Sequence, residues 1–124
     1  SACKKELPSG DLEWKPTHYP VVKTLYVTNV TLTTATLNGT VNCYGLPTTV
    51  TFEYDADTSA GKGDIQISYS NTVTASQSPV ADSGIINVSA DISGLNPCQV
   101  YHFRLKAENS LWKNFYGEDI EFTI

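Results

Sequence analysis

Residues 95–109, Leu-Asn-Pro-Cys-Gln-Val-Tyr-His-Phe-Arg-Leu-Lys-Ala-Glu-Asn, constrain the fold more than any other stretch of this chain. From Tyr101 the sequence alternates without a break. Tyr101, Phe103, Leu105 and Ala107 fall on one side; His102, Arg104, Lys106 and Glu108 fall on the other. A period of two with one apolar and one charged face marks a strand that is buried on one side and wet on the other. Asn96-Pro97 cannot extend a strand, so the chain turns just before it. A tyrosine that opens a strand after such a turn predicts a tyrosine corner, its hydroxyl bonded back to the upstream backbone. The expected architecture is a β-sandwich.

Further segments recur at the spacing of such a sandwich. Strands are predicted over 25–30, 34–42, 49–54, 65–69 (an edge strand) and 85–92, then the strand opening at Tyr101, then 116–124. The inward sets are Ala35, Leu37, Gly39 and Val41, then Val50, Phe52 and Tyr54, then Ile86, Val88, Ala90 and Ile92, and finally Ile120, Phe122 and Ile124. Residues 55–63 read as a loop, and 70–84 are rich in Ser, Asn and Thr and poorly patterned. No helical periodicity occurs anywhere. The fold class is therefore all-β, a seven-stranded antiparallel sandwich over residues 23–124. Residues 1–22 carry Pro8, Gly10, Pro16 and Pro20 and read as an extended leader, stapled by Trp14 and Tyr19.

The length of 124 residues suits one domain. Eight basic against 13 acidic residues leave a net charge of −5, which argues against nucleic acid, since phosphate binding needs clustered Lys and Arg. No apolar run of about 18 residues is present to span a membrane as a helix.

Thr34-Ala35-Thr36-Leu37-Asn38-Gly39-Thr40-Val41-Asn42, Gly45-Leu46-Pro47-Thr48-Thr49 and Phe52-Glu53-Tyr54 resemble the first half of a bacterial fibronectin type III domain, an immunoglobulin-like sandwich. Gly94-Leu95-Asn96-Pro97, Tyr101-His102-Phe103-Arg104, Ala107-Glu108-Asn109-Ser110 and Tyr116-Gly117-Glu118-Asp119 resemble the second half. The resemblance spans residues 24–124. Many animal members carry a core tryptophan on the second strand where Gly39 stands, so Phe52 or Phe103 is expected to fill that space. The integrin-binding Arg-Gly-Asp tripeptide is absent, and that activity is not implied. Ser1-Ala2-Cys3-Lys4-Lys5-Glu6 resembles the end of a bacterial lipoprotein signal, which would make Cys3 a lipidation site.

Catalysis is not expected. His18 lies in the leader and His102 on the water face of its strand, and neither has a recognisable nucleophile motif nearby. Asp55, Asp57 and Asp64 frame a loop without the EF-hand order and read as solvated rather than as a metal site. No cofactor is implied.

The cysteines are Cys3, Cys43 and Cys98. In a sandwich, Cys43 and Cys98 fall at opposite poles, separated by a strand of roughly 30 Å. A disulfide needs Cα atoms within about 7 Å, so these two cannot pair within one domain. Cys3 can reach Cys43, and head-to-tail stacking would bring Cys98 of one copy near Cys43 of the next.

The Cys43 pole also collects Tyr44, Trp112, Phe115 and Tyr116. Exposed rings there would bind sugars by stacking or proteins by burial; the alternative is that Trp112 covers the end of the core or packs on the leader. Asn29, Asn38 and Asn87 each open an N-x-[ST] triplet, a glycosylation acceptor.

The expected function is a non-catalytic extracellular binding or adhesion module at a bacterial cell surface, contacting a glycan or a surface protein. Its only membrane contact would be a lipid anchor. The alternative is a self-associating spacer, stalk or filament subunit assembled head to tail.

Overall fold

In the computed structural model, residues 19–57, 69–111 and 114–124 are described. The alternating segments become strands β1 (Val21–Thr28), β2 (Ala35–Asn42), β3 (Thr48–Ala56), β4 (Asn71–Thr74), β5 (Ile86–Ile92), β6 (Val100–Asn109), β7 (Phe115–Tyr116) and β8 (Ile120–Thr123). They form two antiparallel sheets. One has three strands in the order β1-β2-β5; the other has five, ordered β4-β3-β6-β7, with β8 also paired to β6.

The inner faces meet as the period of two requires. Leu37, Val41 and Val88 from the first sheet pack toward Val50, Phe52, Phe103 and Leu105 from the second, all fully buried or nearly so. Each such side chain contributes roughly 1.5–3 kcal/mol by leaving water. The rings of Phe52 and Phe103 lie 6.1 Å apart, and Phe122 sets its ring against both Phe103 and Tyr101. The tyrosine corner is present: the Asn96 N–H donates to the Tyr101 hydroxyl at 2.7 Å. Beside it, the Leu95 N–H donates to Thr33 O at 2.9 Å and ties this turn to the β1–β2 connection.

Several expectations need correction. β1 starts at Val21 and ends at Thr28, short of the expected residue 30. Of the strand expected over 65–69, residues 65–68 lie outside the described residues; the edge strand is Asn71–Thr74, where Val73 lies opposite Phe52. Four residues with one apolar side chain are too few to show a period. The loop expected from residue 55 begins later, because β3 runs on to Ala56. The last strand divides into β7 and β8 around Gly117, where a Cβ would lie only 2.3 Å from Thr24 Oγ1 and 2.8 Å from Thr24 N. That close approach of β1 explains the interruption.

The space over Gly39 is filled by neither phenylalanine. A Cβ there would lie 2.6 Å from Leu105 Cδ2 and 2.8 Å from Lys23 O, so Leu105 occupies it.

The unpatterned stretch before β5 also has a definite place. Ala75 and Val80 are core residues. Thr48 and Val80 exchange backbone bonds of 2.8 and 2.9 Å, and the Ser76 N–H donates to Ser89 O while the Gln77 side chain accepts from Ser89 N–H. This segment covers the free edge of β5, which would otherwise present unpaired backbone groups.

One irregularity shapes the other edge. Leu25 lies opposite Asn38 and Thr28 opposite Thr36, so β1 carries one extra residue there, a β-bulge. Val27 then packs on the core while Tyr26 is left 79% exposed.

Candidate functional site

The outward residues of β3 and β6 pair across the five-stranded sheet. Glu53 stands opposite Arg104, Asp55 opposite His102 and Thr51 opposite Lys106. Arg104 Nε donates to Glu53 Oε1 at 2.9 Å. Lys106 Nζ lies 4.0 Å from Glu53 Oε2 and 3.9 Å from Glu108 Oε1. The Arg104 guanidinium also lies over two aromatic rings, 4.1 Å from the centre of Tyr69 and 3.7 Å from that of Tyr116. Such cation–π contacts hold the flat guanidinium in one orientation.

Further along β6, Asp119 gathers two donors on one oxygen. The Tyr69 hydroxyl donates to Asp119 Oδ1 at 2.5 Å, and His102 Nδ1 lies 2.9 Å from the same atom. An ionised carboxylate only accepts, so the His102 proton in this bond sits on Nδ1. The Tyr69 and His102 rings are 4.9 Å apart. Burial holds the Tyr69 phenol above its ordinary range, and the bond to Asp119 and its charge push the same way, while Arg104 opposes them. At the rim, the Glu121 carboxyl is also raised, first by its hydrogen bond with Asp57. Asp55 closes this end by accepting from Ser70 N–H at 3.1 Å and from the Ser70 hydroxyl at 2.7 Å.

His102 corrects an expectation. It does project from the outer face, yet it is only 4% exposed. β6 is central in its sheet, and Tyr69 lies over the ring. Pointing away from the core is not the same as reaching water. Among the described residues, no group of three His, Cys, Asp or Glu side chains is placed to hold a metal ion.

Of the four aromatics expected at one pole, the three described ones, Tyr44, Phe115 and Tyr116, do not converge on one site. Tyr44 sits in the turn after β2 with φ 52°, and its N–H donates to Asn42 Oδ1 at 3.0 Å. Phe115 is half-buried and its ring lies 5.6 Å from that of Tyr19. Tyr116 is the next residue along β7 and therefore points to the opposite face, onto Arg104. Trp112 lies outside the described residues. The sequence does hold the signal for the observed site: Arg104 alternates with the apolar set on a central strand. Its aromatic partner Tyr69 could not be found that way, because it comes from a connection.

Cys43 and Cys98 are free thiols at opposite poles, near the Thr48 and Ala56 ends of β3 respectively. Cys43 is 2% exposed and lies within bonding distance of Val80 O and Asp82 O, at 3.3 and 3.1 Å. A sulfur so enclosed cannot be reached by Cys98 of another copy, which removes the head-to-tail disulfide. Cys3 lies outside the described residues, and with it the Cys3–Cys43 pair and the lipidation site.

Of the three triplet asparagines, Asn87 is exposed on β5 and Asn29 donates to Thr36 Oγ1 at 3.3 Å. Asn38 has a structural task. Its amide nitrogen donates to Tyr26 O, Thr28 Oγ1 and Thr36 O at 2.9, 3.0 and 3.3 Å, and so fastens the bulge.

No family model and no curated protein matches the sequence. Solved structures do match the fold. The chain is similar to the sensor domain of the anti-sigma factor RsgI4 of Pseudobacteroides cellulosolvens, with a TM-score of 0.55 and 16% identity, over 84% of this chain and 87% of that one. It is similar to the third fibronectin III domain of the human KIAA0343 protein, with a TM-score of 0.52 and 15% identity, over 90% of each chain. At such identities the likeness is one of fold: an all-β, fibronectin type III-like sandwich. No helix among the described residues is long and apolar enough to cross a membrane.

Proposed function

We propose that the chain is a non-catalytic extracellular recognition module of a bacterial cell surface. It contacts a surface protein or a glycan through the outer face of its five-stranded sheet. One observation carries this reading: Arg104 is fixed at once by Glu53 and by the rings of Tyr69 and Tyr116, with Tyr116 still 41% exposed. Tyrosine and arginine are the side chains that most often anchor interfaces, and a side chain already held in place loses little freedom on binding. The fold neighbours, a sensor domain and a fibronectin III domain, are in keeping with such a role. Attachment through lipid on Cys3 belongs to the same proposal, and mass spectrometry of the natural protein tests it.

The recognition reading is tested by probing arrays of glycans and surface proteins with the chain and with its Tyr116→Ala variant, alongside sedimentation velocity. A monomer that binds, and binds less well after Tyr116→Ala, is expected. Ordered polymers with no array binding would instead mean a spacer or filament subunit.

A further inference from the structure

At the Cys43 pole, the outer face of the three-stranded sheet exposes an apolar patch whose members the register places side by side. Val21 of β1 lies opposite Asn42 of β2, and Val41 lies opposite Ile86 of β5. Ile85, the residue before Ile86, therefore comes beside Asn42 from the β5 side, as Val21 does from the β1 side. Neighbouring strands are about 4.8 Å apart, so the two aliphatic side chains stand roughly 10 Å from each other across Asn42. Tyr44 is tied to the same residue, its N–H donating to Asn42 Oδ1 at 3.0 Å. Val21 is 56% exposed, Ile85 74% and Tyr44 43%. None of these four residues carries a charge.

The chain enters the domain at this patch. β1 begins at Val21 and runs away from the pole, Pro20 before it is buried, and the Tyr19 ring lies 5.6 Å from that of Phe115. Residues 1–18, outside the described residues, thus join the domain at a fixed point beside Val21. Their apolar side chains nearest that point are Leu12 and Trp14, set among proline, charged and small residues. Trp14 stands five residues before Tyr19. Five residues span at most roughly 17 Å, more than the distance from β1 to β5. Pro16 and Pro20 each fix one φ angle in this connection, so less freedom is lost when it is ordered.

We propose that this patch is the docking surface of the chain's own leader, with the Trp14 ring laid across Val21 and Ile85. An indole buries about 150–250 Å² when it is covered, the scale of a patch two strands wide. Tethering selects this occupant over a second copy. A short linker holds Trp14 near the patch at an effective concentration in the millimolar range, without any cost of bringing two molecules together. Docking closes the Cys43 pole to other ligands. It also leaves only residues 4–13 between Cys3 and the docked ring, so the leader mounts the domain in one orientation. The patch shares no residue with the Arg104 face, so this proposal does not rest on the recognition role assigned to that face.

The test is nitrogen–proton correlation NMR of the full chain and its Trp14→Ala variant, with nuclear Overhauser spectra to locate the indole. Trp14→Ala should shift the amide resonances of Val21, Tyr44 and Ile85, and contacts should run from the Trp14 ring protons to the methyl groups of Val21 and Ile85. Ile85→Asp changes an exposed side chain and leaves the core intact. It should abolish those contacts and move the Trp14 indole N–H resonance to the position it takes in the urea-unfolded chain. Each variant's unaltered shifts elsewhere report that it is folded. Samples that mix isotope-labelled with unlabelled chains separate contacts within one chain from contacts between copies. Shifts in Trp14→Ala confined to the leader, an indole resonance that ignores Ile85→Asp, or contacts found only between copies would overturn the proposal.

Discussion

On the outer face of the five-stranded sheet, Glu53 is paired with Arg104 and Lys106, Arg104 lies over two aromatic rings, and His102 is hydrogen-bonded to Asp119. On the outer face of the three-stranded sheet, Thr36, Asn38 and Thr40 of β2 face Asp91, Ser89 and Asn87 of β5, with Asp91 the only charge among these six. Both faces obey the same period of two. They differ in what crosses the strands: ion pairs and cation–π contacts on one, hydroxyl and amide hydrogen bonds on the other. A sandwich asks its outer faces only to avoid the core, and leaves their chemistry free for other uses.

Removing the centre of the charged face should have the largest effect. Arg104→Ala leaves Glu53, only 13% exposed in its side chain, with Lys106 at 4.0 Å as its remaining ion-pair partner, and strips two rings of their cation. A loss of about 2 kcal/mol in urea unfolding is expected. That loss should shrink near 1 M salt, where the screening length falls to about 3 Å. An undiminished loss would mean that packing, rather than charge, holds this face.

Asn38→Ala makes the matching cut on the neutral face. It removes three donated bonds and frees the bulge at Leu25–Thr28. The expected cost is about 1–2 kcal/mol in the same measurement, unchanged by salt because no charge is involved. If salt altered both variants equally, the contrast between the faces would fail.

The smallest effect is electrostatic and appears only in alkali. The folded chain holds the Tyr69 proton more tightly than the unfolded chain does, through burial and Asp119. This contribution is full below the unfolded phenol pKa of about 10 and is lost as pH rises through the higher folded value. An ultraviolet titration should show a late-ionising phenol that Tyr69→Phe removes, and the variant should lose less stability than the parent above pH of about 10. A late phenol that persists in the variant would place the effect elsewhere.

Much of the fold was legible because burial imprints a period on the chain. β2, β5 and β6 lie where alternation put them, and Tyr101 makes the corner its position after Asn96-Pro97 predicts. The edges were less legible. β4 is too short to show a period, and Ala75 and Val80 enter the core from a stretch with none. The aromatic site was legible only in part, since adjacent residues of a strand face opposite ways and Phe115 and Tyr116 part company at once.

Alternating apolar residues along the longer strands were enough to determine the all-β sandwich, its strand directions and the separation of Cys43 from Cys98, because each of these depends on local period and turn chemistry. Tertiary structure alone decided that Leu105 fills the place above Gly39 and that Tyr69 covers His102 and touches Arg104. These contacts join residues far apart in sequence, and no local pattern encodes which connection folds back over which strand.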